Sequence, residues 1–153
     1  MKILMICLGN ICRSPLADGI LKNMAEKRGL GWEIDSAGTS GWHSNEPPHP
    51  LSISVAASHG IDISTQRSRR LQPYDLAEFD YLLCMDAQNY QDTIRLAQTD
   101  EERAKVHLIR NFVKPNYNMQ VPDPYTQGRN GYEEVFNMLT EACEKFIDSV
   151  ILI

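Results

Sequence analysis

Residues 2–15 read Lys2-Ile3-Leu4-Met5-Ile6-Cys7-Leu8-Gly9-Asn10-Ile11-Cys12-Arg13-Ser14-Pro15. Lys2 to Cys7 is a short, unbroken apolar run, the pattern of a parallel strand buried on both faces. Gly9 and Asn10 then mark a turn. Ser14-Pro15 predicts a helix start, with Ser14 as N-cap and Pro15 at the first helical position. The chain therefore opens with strand, tight loop and helix, and Cys7 stands at the carboxyl end of the strand.

The remainder repeats this alternation. The first helix is expected to run to about Arg28 and stop at Gly29. Strands are predicted at Trp32 to Ser36, Phe79 to Met85 and Val106 to Ile109. Helices are predicted at Pro50 to His59, closed by Gly60, and at Ala87 to Ala97. A long amphipathic helix is expected over Gly131 to Ile151, with Val135, Leu139, Cys143, Phe146 and Val150 near one face. Asn111 to Asn130 reads as a long loop bearing Pro and Tyr, a length that usually signals function. The order predicts an α/β fold: a single-domain three-layer sandwich of a four-stranded parallel sheet with helices on both faces. Ligands of such folds sit beyond the carboxyl ends of the strands, where Cys7 lies. No repeat, low-complexity segment or domain boundary interrupts residues 1–153.

Composition narrows the function. A chain of 153 residues suits one domain with a full core. The formal net charge of −5 argues against a nucleic-acid partner. No apolar run approaches a membrane span, and the N-terminal apolar stretch is too short for a signal peptide, so a cytoplasmic location is expected. In a reducing compartment Cys7, Cys12, Cys84 and Cys143 are expected to be buried, catalytic or redox-sensing thiols rather than structural disulfides. No oligomeric state is legible.

The loop from Cys7 to Ser14 carries the chemistry. Cys, five residues and Arg is a weak pattern alone. Its position between a strand and a helix N-terminus makes it specific, because unpaired N–H groups and the helix dipole converge there and suit a phosphate dianion. The same field favours a thiolate at Cys7. Leu8, Gly9, Asn10, Ile11 and Cys12 form the wrap, with Gly9 allowing an unusual backbone angle and Asn10 tolerating one. Arg13 can hold two phosphate oxygens in its planar fork. Ser14 can cap the helix and donate to the Cys7 sulfur. A Walker loop is absent, and a zinc site lacks a second cysteine pair or a nearby histidine. No cofactor or metal is expected.

CLGNICRSP at residues 7–15 resembles the low-molecular-weight protein-tyrosine phosphatase family, and the resemblance extends along essentially the whole chain. Asp35-Ser36-Ala37-Gly38-Thr39 resembles the family's second-strand motif, and Asp123-Pro124-Tyr125 its acid loop. The resemblance implies Cys7 as nucleophile, Arg13 as phosphate clamp and Asp123 as general acid. It implies that Asn10, Ser14 and Ser36 hold the loop, and that Trp42 and Tyr125 wall the cleft. The implied substrate is a tyrosine-phosphorylated protein or peptide. Asp123 lies between Pro122 and Pro124, which restrict its backbone on both sides. Asp86 reads as a helix cap, and Cys84 and Cys143 as core thiols.

Three positions depart from the family pattern. The histidine that follows the HGI segment in many relatives is missing from Ser64-Thr65-Gln66-Arg67, where Gln66 is the candidate substitute. His49-Pro50-Leu51 stands where Asp-Pro-Arg is common, and Thr126 follows Tyr125 where a second tyrosine is usual. Three alternatives are tested against the residues. Arsenate reductases need relay cysteines, and Cys84 has no partner within the next ten residues. Protein-arginine phosphatases typically carry Thr where this chain has Ile11, and an apolar Ile11 suits an aromatic ester better. A non-catalytic phosphopeptide-binding module would lack the nucleophile or the acid, and both are present. Cys12, five positions after Cys7 on one tight loop, is the candidate resolving thiol for an oxidised Cys7.

Overall fold

A computed structural model describes residues 1–151. The last two residues of the single domain expected over 1–153 lie outside the described residues. Four strands, β1 (Lys2–Cys7), β2 (Glu33–Gly38), β3 (Tyr81–Cys84) and β4 (Val106–Leu108), pair in parallel in the order β2-β1-β3-β4. The chain leaves β1 toward β2 on one side and returns to β3 on the other. The carboxyl end of β1 is therefore the point where strand order reverses, and Cys7 occupies it.

The alternation of side chains along β1 divides the core into two layers. Ile3 and Met5 face one apolar cluster with α1 (Arg13–Lys27), α2 (Pro50–Ser58) and α6 (Gly128–Ile151). Leu4 and Ile6 face a second cluster that includes Leu76 of α3 (Pro73–Glu78) and residues of α4 (Ala87–Leu96). Val135, Leu139, Cys143 and Phe146 form the buried stripe of α6, with Val150 packed at its edge. The three-layer sandwich is as the sequence predicts. No helix among the described residues is long and apolar enough to cross a membrane.

Several boundaries differ from expectation. The first helix begins at Arg13, with Cys12 at the N-cap and no side-chain cap, so Ser14 is not the cap residue. Its hydroxyl points at the Cys7 sulfur instead. The strand expected from Phe79 starts at Tyr81, because Phe79 closes α3, a helix opened by Pro73 and a reciprocal cap between Gln72 and Asp75. Neither α3 nor α5 (Asp100–Ala104), nor the 3-10 turn Ile109–Phe112, was anticipated. The last turn of the expected long loop belongs to α6, which starts at Gly128.

Candidate active site

The loop after β1 wraps because its carbonyl oxygens are held from outside. Cys7 O accepts from Thr39 N and Leu8 O from Ser40 N, both at 2.9 Å. Ile11 O accepts from His49 N at 2.8 Å, and Cys12 O from Ser52 Oγ at 3.1 Å. Across a planar trans peptide the N–H points opposite to the C=O. The N–H groups of Leu8, Gly9, Cys12 and Arg13 therefore turn inward, toward the N-terminus of α1. That concavity is an anion site made of backbone.

Gly38 permits the close approach of β2. A Cβ there would lie 2.7 Å from Leu8 O and 3.1 Å from Asn10 N. Asn10 carries the loop's left-handed backbone, with φ 56°, and Gly9 does not share it. The small residue at Gly9 serves a different need: a Cβ would meet the His43 ring at 3.0 Å.

One amide organises the side chains. Asn10 Oδ1 accepts from Arg69 N at 3.0 Å, which fixes its Nδ2 toward Ser14 Oγ at 2.8 Å and Ser36 Oγ at 2.9 Å. The Ser14 oxygen thus accepts from Asn10 and its own hydrogen is free for the Cys7 sulfur, 3.0 Å away. Asn10 N also donates to that sulfur at 3.3 Å. Arg69 is itself fixed by a two-pronged contact to buried Asp75, at 3.0 and 3.1 Å. Gln66 does not join this network. Its Nε2 donates to Pro15 O at 3.2 Å, in the first turn of α1.

Arg13 is buried, yet its guanidinium is held charged. Burial works against the charge, but Cys7, Asp86 and Asp123 together outweigh it and raise its pKa. Asp86 Oδ2 is 2.7 Å from Nη1, which also donates to Val121 O at 3.0 Å. The other Asp86 oxygen caps α4 through Asn89 N at 2.8 Å. The expectation of a capping Asp86 holds, and its second contact, to Arg13, went unforeseen. Asp123 Oδ2 lies 4.0 Å from Arg13 Nη2, and Oδ1 accepts from Tyr125 N in a local turn.

Cys7, Arg13, Trp42, Asp123 and Tyr125 line one cleft of about 440 Å³, together with Leu8, Gly9, Ile11 and Cys12 of the loop. His43 and Thr126, which the sequence reading did not assign to a site, complete its rim. Trp42 and Tyr125 are both exposed, as projecting walls would be. Ser36 and Ser14 lie beneath the loop, and both are buried. Burial pushes the Cys12 thiol up to about 11 despite its contact with the Tyr132 hydroxyl. Cys84 is raised to about 12 and Cys143 higher, both by complete burial, which suits core thiols. Among the described residues no cluster of His, Cys, Asp and Glu could hold a metal ion.

The model of the low molecular weight phosphotyrosine protein phosphatase family matches residues 2–151. The YfkJ protein-tyrosine-phosphatase of Bacillus subtilis is 35% identical over 151 residues, covering 97% of this chain and 95% of the relative. A protein tyrosine phosphatase from Entamoeba histolytica, crystallised with Hepes in its active site, superposes with a TM-score of 0.93 at 32% identity. The alignment covers 99% of this chain and 97% of that one. A Drosophila arginine phosphatase superposes with a TM-score of 0.90 at 31% identity, covering 97% of both chains. The chain belongs to the low molecular weight phosphotyrosine protein phosphatase family, and is a hydrolase of that class.

Proposed function

We propose that the chain, acting as one domain over residues 1–153, hydrolyses phosphotyrosine in proteins through a phosphocysteine at Cys7. The observation that carries this reading is the convergence on one small cleft of a thiol, an inward-facing ring of N–H groups, Arg13 and Asp123.

In the first step the Cys7 thiolate attacks phosphorus and the bond to the phenolic oxygen breaks. Asp123 gives its proton to the departing phenolate. The charge on the transferring group is met by the backbone N–H groups and the Arg13 fork, which are already in position. In the second step water attacks the phosphocysteine and gives a proton to Asp123. The phosphorus–sulfur bond breaks, and the electron pair returns to sulfur, where Ser14 and Asn10 receive it. The reading needs no metal, so a chelator should leave turnover intact.

The choice of an aromatic ester rests on the rim. Ile11, Trp42 and Tyr125 offer apolar surface above the anion site, where a phenyl ring would be enclosed. A serine phosphate is too short to reach the loop past them. The Drosophila arginine phosphatase makes phosphoarginine the substrate to compare, but among the described residues no carboxylate other than Asp123 lines the cleft to receive a guanidinium. A turnover assay on phosphotyrosine, phosphoserine and phosphoarginine peptides, and on arsenate, tests the assignment. Phosphotyrosine is expected to be hydrolysed far better than the others. A preference for phosphoarginine, or reduction of arsenate, overturns it. A cytoplasmic location belongs to the same reading.

A further inference from the structure

Beside the catalytic cleft lies a second hollow of about 500 Å³, and its lining differs in kind. Ile11, His43 and Tyr125 border both spaces, so the two adjoin along that ridge. The far wall is made of Pro47, Pro48 and Ile53. No group of the phosphate loop other than Ile11 reaches it.

This wall is rigid by construction. Pro47, Pro48 and Pro50 fix the backbone over four residues. His49, between them, is held at four points. Its N–H donates to Ile11 O at 2.8 Å and its Nδ1 accepts from Leu51 N at 3.1 Å. Its ring stacks on Tyr132 at 5.2 Å and meets Tyr125 edge-on at 5.7 Å. A groove fixed in advance costs little ordering when it is filled. Two charged side chains stand at its border: Glu46, whose Oε2 is bound to His43 Nδ1 at 2.7 Å, and Arg129, whose Nη1 donates to the lining Ser54 Oγ at 2.6 Å. Each is tied to a partner, and the lining between them, Pro47, Pro48, Pro50 and Ile53, is apolar.

We propose that this hollow is a specificity subsite that receives an apolar side chain of the substrate protein, close in sequence to the phosphotyrosine. The inference rests on the phosphotyrosine reading above. A substrate whose ring lies between Trp42 and Tyr125 can lay the residues on one side of its phosphotyrosine over the Ile11–Tyr125 ridge. An aliphatic or aromatic side chain there exchanges water for Pro47, Pro48 and Ile53. An acidic one gains nothing from that apolar wall and loses its own hydration.

The test uses phosphotyrosine peptides in which Leu, Phe, Ser or Asp is placed singly at each flanking position. The reference substrate is p-nitrophenyl phosphate, which fills only the catalytic cleft. One position is expected to favour Leu or Phe over Asp by about tenfold in kcat/KM, the usual worth of partial apolar burial. Ile53→Ser and Pro47→Asp should each erase that preference while p-nitrophenyl phosphate turnover stays unchanged. Equal rates at every position, or a preference that survives both variants, overturns the subsite alone. Failure of the wild-type protein to hydrolyse any aryl phosphate overturns the phosphotyrosine reading, and the subsite with it.

Discussion

Asp86 Oδ2 and Arg13 Nη1 lie 2.7 Å apart, across 73 residues of sequence, with Arg13 lining the cleft and Asp86 behind it. The carboxylate that caps α4 also fixes the guanidinium beneath the phosphate position. Asp86→Ser keeps a capping oxygen but removes the charge, so α4 is expected to stay intact. Arg13 then loses its anchor, and a misplacement of order 1 Å costs about 10²-fold in rate. The expected result is that fall in kcat/KM for aryl phosphates, with unchanged far-UV circular dichroism. Wild-type turnover by Asp86→Ser would show that Val121 O alone positions Arg13.

Asp123→Asn is expected to slow phosphoryl transfer by about 10²–10⁴-fold, the usual worth of a general acid. The loss should shrink as the leaving phenol becomes more acidic, because a weakly basic phenolate departs without a proton. Equal loss on activated and unactivated aryl phosphates would remove Asp123 from the proton-transfer step.

Asp18 of α1 is almost wholly buried, with Lys22 Nζ 2.9 Å from its Oδ1. Burial raises its carboxyl from 3.8 to about 6, and the Lys22 charge offsets only part of that rise. Below 3.8 the group is protonated folded and unfolded alike, and its contribution to stability is fully present. Between 3.8 and about 6 the unfolded chain ionises first, so stability falls as pH rises. The penalty above that window is about 3 kcal/mol. Asp18→Asn should therefore raise the unfolding midpoint by several degrees near pH 7.5 and leave it unchanged near pH 4, measured by calorimetry. A variant less stable than wild type at neutral pH would mean that the Lys22 pair outweighs the burial cost.

Cys12 and Cys7 border the same cleft, but only Cys7 takes hydrogen bonds from Asn10 N and Ser14. The Cys12 thiol is pushed up to about 11, so peroxide is expected to attack Cys7 first, and Cys12 to condense with the resulting sulfenic acid. Wild type should regain activity with dithiothreitol after mild peroxide, whereas Cys12→Ser should not. Full recovery of the variant, or a bridge from Cys7 to Cys84 or Cys143 in peptide maps, would exclude Cys12 as the resolving thiol.

Strands β1 and β3 were legible because each is an apolar run buried almost throughout, and the Cys7 loop because strand, turn and helix start are contiguous. The short helices α3 and α5 were missed although their signals are local: Pro73 with Asp75, and Thr99 three residues before Glu102. The helix start was misplaced by two residues because Ser14 looks like a cap while its hydroxyl is committed to sulfur. Arg69 and Asp86 were not assigned to the site for a different reason. Their partners, Asn10 and Arg13, lie 59 and 73 residues away, and no local pattern encodes such a contact. Gln66 was read as a possible brace for the loop, yet its amide reaches only Pro15 O, so the bracing falls to Asn10 and Arg69.

The covalent step at Cys7 is the centre of the account, and rapid-quench mass spectrometry tests it most directly. Wild-type protein mixed with excess p-nitrophenyl phosphate and quenched in acid within the first turnovers is digested and mapped. The account predicts one phosphoryl group on the peptide that contains Cys7, absent from Cys7→Ser, which should bind vanadate but not turn over. An unmodified Cys7 peptide during steady turnover, a phosphoryl group on another residue, or near-normal hydrolysis by Cys7→Ser would contradict it.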